Sequence, residues 1–310
     1  MKLPDRSPLP IGHERAAVLL VLVTVLLVGC STKPSSESSG IVATPIGPTT
    51  EAEADSPGDS TKKKEENPST QPQELAEKTE PPPVENATEL AADAKAKMQW
   101  SSSESTLREA FELSGRAARL APKDAAVALQ HAECAVRYAQ ATQGIDRPAK
   151  ICKEAMPSMD SAGLSGTSLD AKAAYYRGSL TGLIMQSQGL AAAGKIPELE
   201  ALFKQSASVP GIEQGGPLRA LGMLYLKAPP WPTGIGDIGL AIENLEKASQ
   251  NYPGFPYNHV CLARAYAEDG MGTEATSSLA KAEELLSSGK WGALGQLWLR
   301  EIAEIRKSIG

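Results

Sequence analysis

Several residue patterns are scarce in this chain, and each scarcity argues against a class of function. Aromatic residues make up 5% of the 310 residues, which suits tightly packed helices better than a β-sandwich. Histidine occurs three times, which argues against a histidine-based metal site or hydrolytic triad. The four cysteines include no Cys-x-x-Cys pair, the usual element of zinc and thioredoxin-like sites. The only tight basic run, residues 62–64, is followed directly by two glutamates, and the net charge is −6. We therefore expect no enzyme activity, no metal, no cofactor and no nucleic-acid partner.

Alternation of apolar and polar residues, the pattern of half-buried strands, is also missing. From Asn86 onwards apolar residues instead recur at helical spacing, punctuated by proline, glycine and aspartate. The expected fold class is all-α, with the folded domain at 88–310. The pattern predicts helices near 87–99, 104–120, 123–143, 147–161, 168–193, 196–208, 216–227, 238–251, 256–269, 272–287 and 294–308.

The N-terminus has the features of an export signal. Basic residues at positions 2, 6 and 15 flank or precede an apolar stretch at 16–28, which is shorter than the roughly 20 residues that span a bilayer. This stretch ends in Leu-Val-Gly-Cys, which resembles the lipobox of bacterial lipoproteins, with Cys30 as the lipidated residue. The resemblance implies removal of 1–29, a lipid anchor on Cys30 and, because Ser31 follows, an outer-membrane location in a two-membrane cell. The alternative is an ordinary apolar helix that ends in cysteine.

A linker is expected between the signal and the folded domain. Residues 30–87 are rich in Pro, Ser, Glu and Lys and contain no aromatic residue. Such a composition buries too little apolar area to offset the entropy of ordering the chain, so the sequence predicts disorder. The linker would let the folded part stand away from the lipid surface.

A small–large–small spacing recurs in the helical region and resembles the tetratricopeptide repeat (TPR), a helix-turn-helix unit of about 34 residues. The small residues would let two helices approach closely, and one unit cannot bury its own apolar face, so units stack. The match is clearest over 218–287, which is also similar to periplasmic TPR components of TRAP-type transport systems. The helix at 294–308 would cap the stack. The pattern is carried by Ala110-x3-Ser114-x2-Ala117, Ala241-x3-Leu245-x2-Ala248, Ala275-x3-Leu279-x2-Ala282, Leu221-Gly222-x2-Tyr225 and Leu262-Ala263-x2-Tyr266.

The resemblance to TPR proteins implies a concave surface lined by the first helix of each unit. Arginine, tyrosine and methionine on such a surface are typical of protein interfaces. Ordinary solvent-facing surface is the alternative. The candidates are Glu133, Arg137, Tyr175, Ser179, Arg219, Met223, Lys227, Tyr257 and Arg264.

An inserted loop at 228–237 contains Trp231 between prolines. Its tryptophan either packs on neighbouring helices or is offered to a ligand. Glycines 234, 236 and 239 match a dinucleotide-binding spacing, but no strand precedes them, so we interpret them as turn residues with Asp237 capping the next helix.

The cysteines and the acidic helix residues leave smaller questions open. Cys134 and Cys152 lie on consecutive predicted helices, so they form either a disulfide or two buried free thiols, and Cys261 is expected to be buried. Glu301 and Glu304 fit a solvated helix face.

Two functions fit these expectations. The first is an exported, membrane-anchored TPR protein that acts as an interaction or scaffold module for envelope proteins or peptides. The second is a solute-binding component of a transport system, with a small apolar or amphipathic ligand in a pocket beside Trp231. The oligomeric state is not predicted.

Overall fold

The structure is a computed structural model that describes residues 86–166 and 169–310. Within these ranges the chain is all-α, with no β-strand, as the sequence predicts. Its helices are α1 Ala87–Ala96, α2 Glu104–Leu120, α3 Ala125–Ala141, α4 Asp146–Ser161, α5 Ala171–Gln188, α6 Ile196–Ala207, α7 Gly216–Lys227, α8 Ile238–Asn251, α9 Pro256–Glu268, α10 Gly272–Leu286 and α11 Gly292–Ile309. All eleven predicted helices are present in these ranges.

The largest deviation from the predicted bounds is at the C-terminal end of α5. The sequence predicts a helix to residue 193, but α5 ends at Gln188. Gly189 has a φ of +57°, which interrupts the α-helical backbone. A 3₁₀ helix, Gly189–Lys195, then leads into α6. The alanines that suggested a continuing helix therefore lie in the tighter 3₁₀ turn.

Several helices begin at a polar side chain that accepts a hydrogen bond from a backbone N–H of the first turn. Such a cap contributes about 1 kcal/mol to helix stability. The predicted cap Asp237 is confirmed, since its Oδ1 accepts from the Leu240 N–H at 2.9 Å. The capping residues are Asn86, Ser103, Asp124, Asp170 and Asp237.

Consecutive helices pack against each other through the described part of the chain. The odd-numbered helices also contact one another in order, α3 with α5, α5 with α7, α7 with α9 and α9 with α11. The first odd-numbered helix, α1, contacts α3 as well, and α11 also contacts α3, so the last helix lies against an early member of this series. α11 also packs on α9 and α10, and its apolar residues Leu294, Leu297, Trp298, Ile302 and Ile305 are buried.

The small–large–small positions lie at the helix contacts, as the spacing predicts. All nine residues of the three quoted patterns, in α2, α8 and α10, are at most 1% exposed. The positions quoted from α7 and α9 are also buried, except Tyr266, which is half-buried. The spacing therefore identifies packed helix faces correctly.

Gly222 marks the closest of these approaches, between α7 and α8. A Cβ atom at this position would lie 2.5 Å from Leu245 Cγ and 3.0 Å from the Ala241 carbonyl oxygen. Neither neighbour can move away freely, because Leu245 and Ala241 are fully buried. The two helices pack at this distance only because residue 222 has no side chain.

Gly222→Ala is expected to lower the free energy of unfolding by about 1–3 kcal/mol, since the added methyl group overpacks the contact. The better helix propensity of alanine offsets at most about 1 kcal/mol of this loss. Urea denaturation followed by circular dichroism measures the change. The matched control is Gly254→Ala, whose Cβ would meet no atom within 4 Å. Equal midpoints for the two variants would contradict the close approach.

No helix within the described ranges is both long and apolar enough to cross a lipid bilayer. The predicted signal at 1–29, the lipidation site Cys30 and the linker up to residue 85 lie outside the described residues.

Candidate functional site

The predicted groove residues all lie on the odd-numbered helices α3, α5, α7 and α9. Most of them are not open to solvent. Glu133, Lys227 and Arg264 are half-buried. The six others are buried, so they do not form the accessible surface that the sequence predicts: Arg137, Tyr175, Ser179, Arg219, Met223 and Tyr257.

One reason for this burial is Glu213, which the sequence analysis missed. Glu213 lies in a short 3₁₀ helix, Ile212–Gln214, just before α7. Arg137 Nη2 donates to both of its carboxylate oxygens at 2.8 Å, and the Tyr176 hydroxyl donates to Oε1 at 2.6 Å. The carboxylate thus fills the space in front of α3 and α5.

The backbone at Glu213 and Gln214 adopts a conformation that residues other than glycine rarely have. Glu213 and Gln214 have φ values of +46° and +52°, in the left-handed region, between the left-handed glycines Gly211 and Gly215. Non-glycine residues there cost free energy unless the surrounding contacts hold them. The Pro-Gly pair before this segment and the Gly-Gly-Pro run after it were signals in the sequence that could have located the turn.

Arg137 is held on its other side by an aromatic ring. The centroid of the Trp100 ring lies 3.9 Å from the Arg137 guanidinium carbon, a cation–π contact. Trp100 in turn packs edge-on against Trp291 and Phe255. These contacts join the α1–α2 connection to the start of α11 and cover the α3 end of the predicted groove.

A second buried cation, Arg219, is bound by groups from neighbouring segments. Its Nη1 donates to Asn258 Oδ1 at 2.6 Å, and its guanidinium lies over the ring of Phe255 at 4.9 Å. Asn258 Nδ2 donates to the Gln214 carbonyl at 3.0 Å. Arg219 therefore ties α7 to α9 and to the Glu213 turn.

The third polar cluster is centred on Glu301 of α11, which is 2% exposed. The expectation that Glu301 faces solvent is wrong, because α11 presents it to α9. Arg264 Nη2 donates to Glu301 Oε2 at 3.0 Å, and the Tyr257 hydroxyl donates to Oε1 at 3.2 Å. Burial raises the pKa of the Glu301 carboxyl, and Arg264 acts against this rise.

These three clusters have one property in common. Every buried charge named here has a partner of opposite charge or a polar acceptor within hydrogen-bond distance. Removing one member of such a pair is costly, since the other charge stays buried without compensation. The chemistry of the clusters is therefore that of fixed helix-to-helix links.

Trp231 is the most accessible large apolar side chain of the described residues, at 85% exposure. Packing against neighbouring helices, the commoner outcome for such a residue, does not occur. Backbone hydrogen bonds hold the loop: Gly236 N–H donates to the Pro229 carbonyl at 2.7 Å, and Asp237 N–H to the Tyr225 carbonyl at 3.0 Å. The structure thus presents a bulky aromatic ring on a loop with defined backbone contacts.

Clefts do occur among the described residues. Two of them have volumes of about 120 and 400 Å³, and neither is lined by Trp231. The smaller is formed around residues 207–218 and Tyr252, and the larger between α2, α3 and α4. The expected ligand pocket beside Trp231 is not formed by either cleft.

The cysteines of the folded domain are free thiols. Cys134, Cys152 and Cys261 are all buried, and the disulfide considered for Cys134 and Cys152 is not present. Burial raises the pKa of Cys134 and of Cys261 to about 12, which keeps both thiols protonated and unreactive at neutral pH.

The two histidines of the folded domain, His131 in α3 and His259 in α9, make different contacts. His131 Nδ1 lies 2.9 Å from Ser114 Oγ, and His259 Nε2 lies 2.9 Å from the Pro253 carbonyl. Among residues 86–166 and 169–310, no three His, Cys, Asp or Glu side chains are grouped closely enough to hold a metal ion.

The chain matches no protein-family model, and no curated protein is significantly similar to it.

Proposed function

We propose that this protein is an exported, lipid-anchored helical-repeat protein of the TPR type that binds other proteins of the cell envelope. The observation that carries the binding role is the exposed Trp231 on its hydrogen-bonded loop. Tryptophan is among the residues most enriched at the energetic centres of protein interfaces. An ordered loop that presents such a ring loses little conformational entropy when a partner covers it.

The repeat assignment is supported by the helix contacts and by the small–large–small positions. Consecutive helices pair, odd-numbered helices contact each other, and the pattern positions of α2, α8 and α10 are buried. This is the arrangement that stacked helical hairpins require. The polar clusters of Glu213, Arg219 and Glu301 occupy the odd-helix side, which favours the Trp231 loop over the concave side as the contact region.

Two further exposed apolar side chains follow the Trp231 loop in the chain. Ile238 and Leu240, at the start of α8 directly after the loop, are 36% and 40% exposed. Burying a tryptophan removes about 150–250 Å² of surface from water. Ile238 and Leu240 follow the loop closely enough in sequence to add further apolar area to the same contact. The proposed contact surface therefore consists of Trp231, Ile238 and Leu240.

Site-specific photocrosslinking in cells tests this surface. A photoreactive amino acid in place of Trp231 is expected to give a discrete crosslinked product of higher mass. The same amino acid in place of Leu299, an exposed leucine of α11, is the matched control. Identical products from both positions, or none from position 231 in the membrane-anchored protein, would rule out the loop as the contact region.

The anchor makes a separate prediction. Cys30→Ala is expected to release the folded domain from membranes while the helical content of the domain stays unchanged, since lipidation at Cys30 would be lost. Membrane fractionation and circular dichroism of the purified protein measure the two properties. A mutant that remains fully membrane-bound would show that Cys30 is not the anchor, and this outcome would leave the Trp231 surface unaffected.

A further inference from the structure

The loop that carries Trp231 projects from the domain on a narrow base. Its two strands of chain approach so closely that a Cβ atom at Gly236 would lie 2.1 Å from the Ala228 carbonyl oxygen. At the other end of the loop the Thr233 N–H donates to the Pro230 carbonyl at 3.1 Å, so Trp231 lies within a turn at the tip. At 85% exposure most of the indole ring is open to a partner.

Carboxylates lie at both ends of the base of this loop. Lys227, the last residue of α7, forms an ion pair with Glu268, the last residue of α9, so the loop begins beside the end of α9. Asp269 follows directly and is exposed. At the end of the loop Asp237, also exposed, caps α8.

The exposed charge on the segments around the loop is mainly negative. Within residues 228–275, all of them described, five acidic side chains and one basic side chain are exposed. The basic one, Lys247, is paired with Glu243 on the same helix. A surface with this charge attracts cationic partners and repels anionic ones. The exposed acidic residues are Asp237, Glu243, Glu268, Asp269 and Glu274.

An exposed indole ring is also a group that attracts cations. Tryptophan is the strongest of the aromatic side chains in cation–π contacts, and the planar guanidinium of arginine can stack on a ring while it donates to a carboxylate. The chain already contains this combination, since Arg137 lies over Trp100 and binds Glu213. An arginine between Trp231 and Asp237 would make the same two kinds of contact.

We propose that the Trp231 surface binds a basic protein segment, with an arginine stacked on the Trp231 ring and further cationic side chains attracted by Asp237 and Asp269. This specifies the partner of the contact region and rests on the proposed function. The same carboxylates repel acidic segments and anionic lipid headgroups. Salt weakens the association, because exposed charges are screened.

Fluorine-19 NMR of the full chain labelled with 5-fluorotryptophan tests the proposal. The chain has four tryptophans, and Trp231→Phe assigns the signal of position 231. The probe is a short peptide of glycine, serine and several arginines. One analogue carries citrulline, which keeps the shape of each side chain without its charge, and another carries glutamate. We expect the arginine peptide to shift the Trp231 signal saturably and to leave the other three signals unchanged. The two analogues are expected to bind at least about tenfold more weakly.

Variants identify the groups that bind the peptide, with affinities measured by calorimetric titration. Asp237→Asn combined with Asp269→Asn removes two carboxylates beside the loop, and asparagine still caps α8. This double variant is expected to weaken binding of the arginine peptide at least about fivefold. Glu112→Gln combined with Glu154→Gln, two exposed carboxylates on α2 and α4, is the matched control and should bind like the wild type. Trp231→Leu keeps an apolar side chain without a ring face and should weaken binding to a similar extent as the acidic double variant.

The proposal is overturned if the Trp231 signal does not shift saturably, if the arginine and citrulline peptides bind equally, or if the acidic double variant binds as tightly as its control. A larger shift with phosphatidylglycerol vesicles, or a shift that depends only on protein concentration, also overturns it, because the occupant is then a lipid surface or a second copy of the chain. Photocrosslinking at position 231 reports separately on the proposed function. A crosslinked protein product together with equal peptide affinities would leave that function standing and exclude only a basic partner segment.

Discussion

Replacing Glu301 by alanine is expected to lower the free energy of unfolding by about 3–5 kcal/mol, the usual effect of breaking a buried ion pair from one side. Arg264 would keep its charge in a largely buried position without its carboxylate partner, and the Tyr257 hydroxyl would lose its acceptor. Guanidinium denaturation of the full chain, followed by helical circular dichroism, measures the loss.

Three further variants identify the cause. Glu304→Ala, on the same helix but only half-buried, is expected to change stability by about 0.5 kcal/mol or less. Glu301→Gln keeps an acceptor for Tyr257 and should lose less than alanine. Glu301→Met combined with Arg264→Met removes both charges and should recover much of the loss. A double variant as unstable as Glu301→Ala would mean that lost packing, and not the unpaired Arg264 charge, causes the decrease in the free energy of unfolding.

Acidification is expected to destabilise the folded state through His131. The folded-state pKa is lowered from 6.5 to about 4, so between these values the unfolded state binds more protons than the folded state. The stability contributed by a neutral His131 is therefore complete above pH 6.5 and is lost as the pH falls towards 4. The total loss is about 3 kcal/mol, at roughly 1.4 kcal/mol for each unit of pKa difference.

The pH dependence is measured by denaturation at a series of pH values in the wild type and in His131→Asn. Carboxylates titrate in the same range, but they are common to both proteins, so the difference between the two curves isolates His131. His259→Asn is the control and should retain most of the wild-type slope, since His259 is only half-buried. Parallel curves for wild type and His131→Asn would show that the His131 pKa is the same in the folded and unfolded states, which would contradict the prediction.

Much of the helical architecture could be predicted because its determinants are local. Ser103 and Asp237 cap helices at the residues where a polar side chain precedes an apolar helical pattern. Ala248 and Leu245 lie at a helix contact because their spacing places them on one face of α8. Capping and periodicity involve residues less than two turns apart, and both are visible in a single sequence.

The candidate site was predicted less well because exposure depends on distant segments. The spacing placed Arg137 and Arg219 on the odd-numbered helices correctly, but it could not reveal that the Glu213 turn and Trp100 cover Arg137. The residues around Glu301 in the sequence predict a solvent-facing side chain, but packing against α9 buries it. Trp231, an apolar residue between prolines, is exposed because no other element covers its loop.

The sequence by itself determined which segments are helical, where they begin and which of their faces pack, since these properties follow from spacing and from neighbouring residues. Only the tertiary structure decided which faces stay open. The return of α11 to α3 and the insertion of the Glu213 turn close the side expected to be a groove, while no other element covers Trp231. The burial of a side chain depends on residues far away in the chain, and the packing of the whole domain determines where those residues lie.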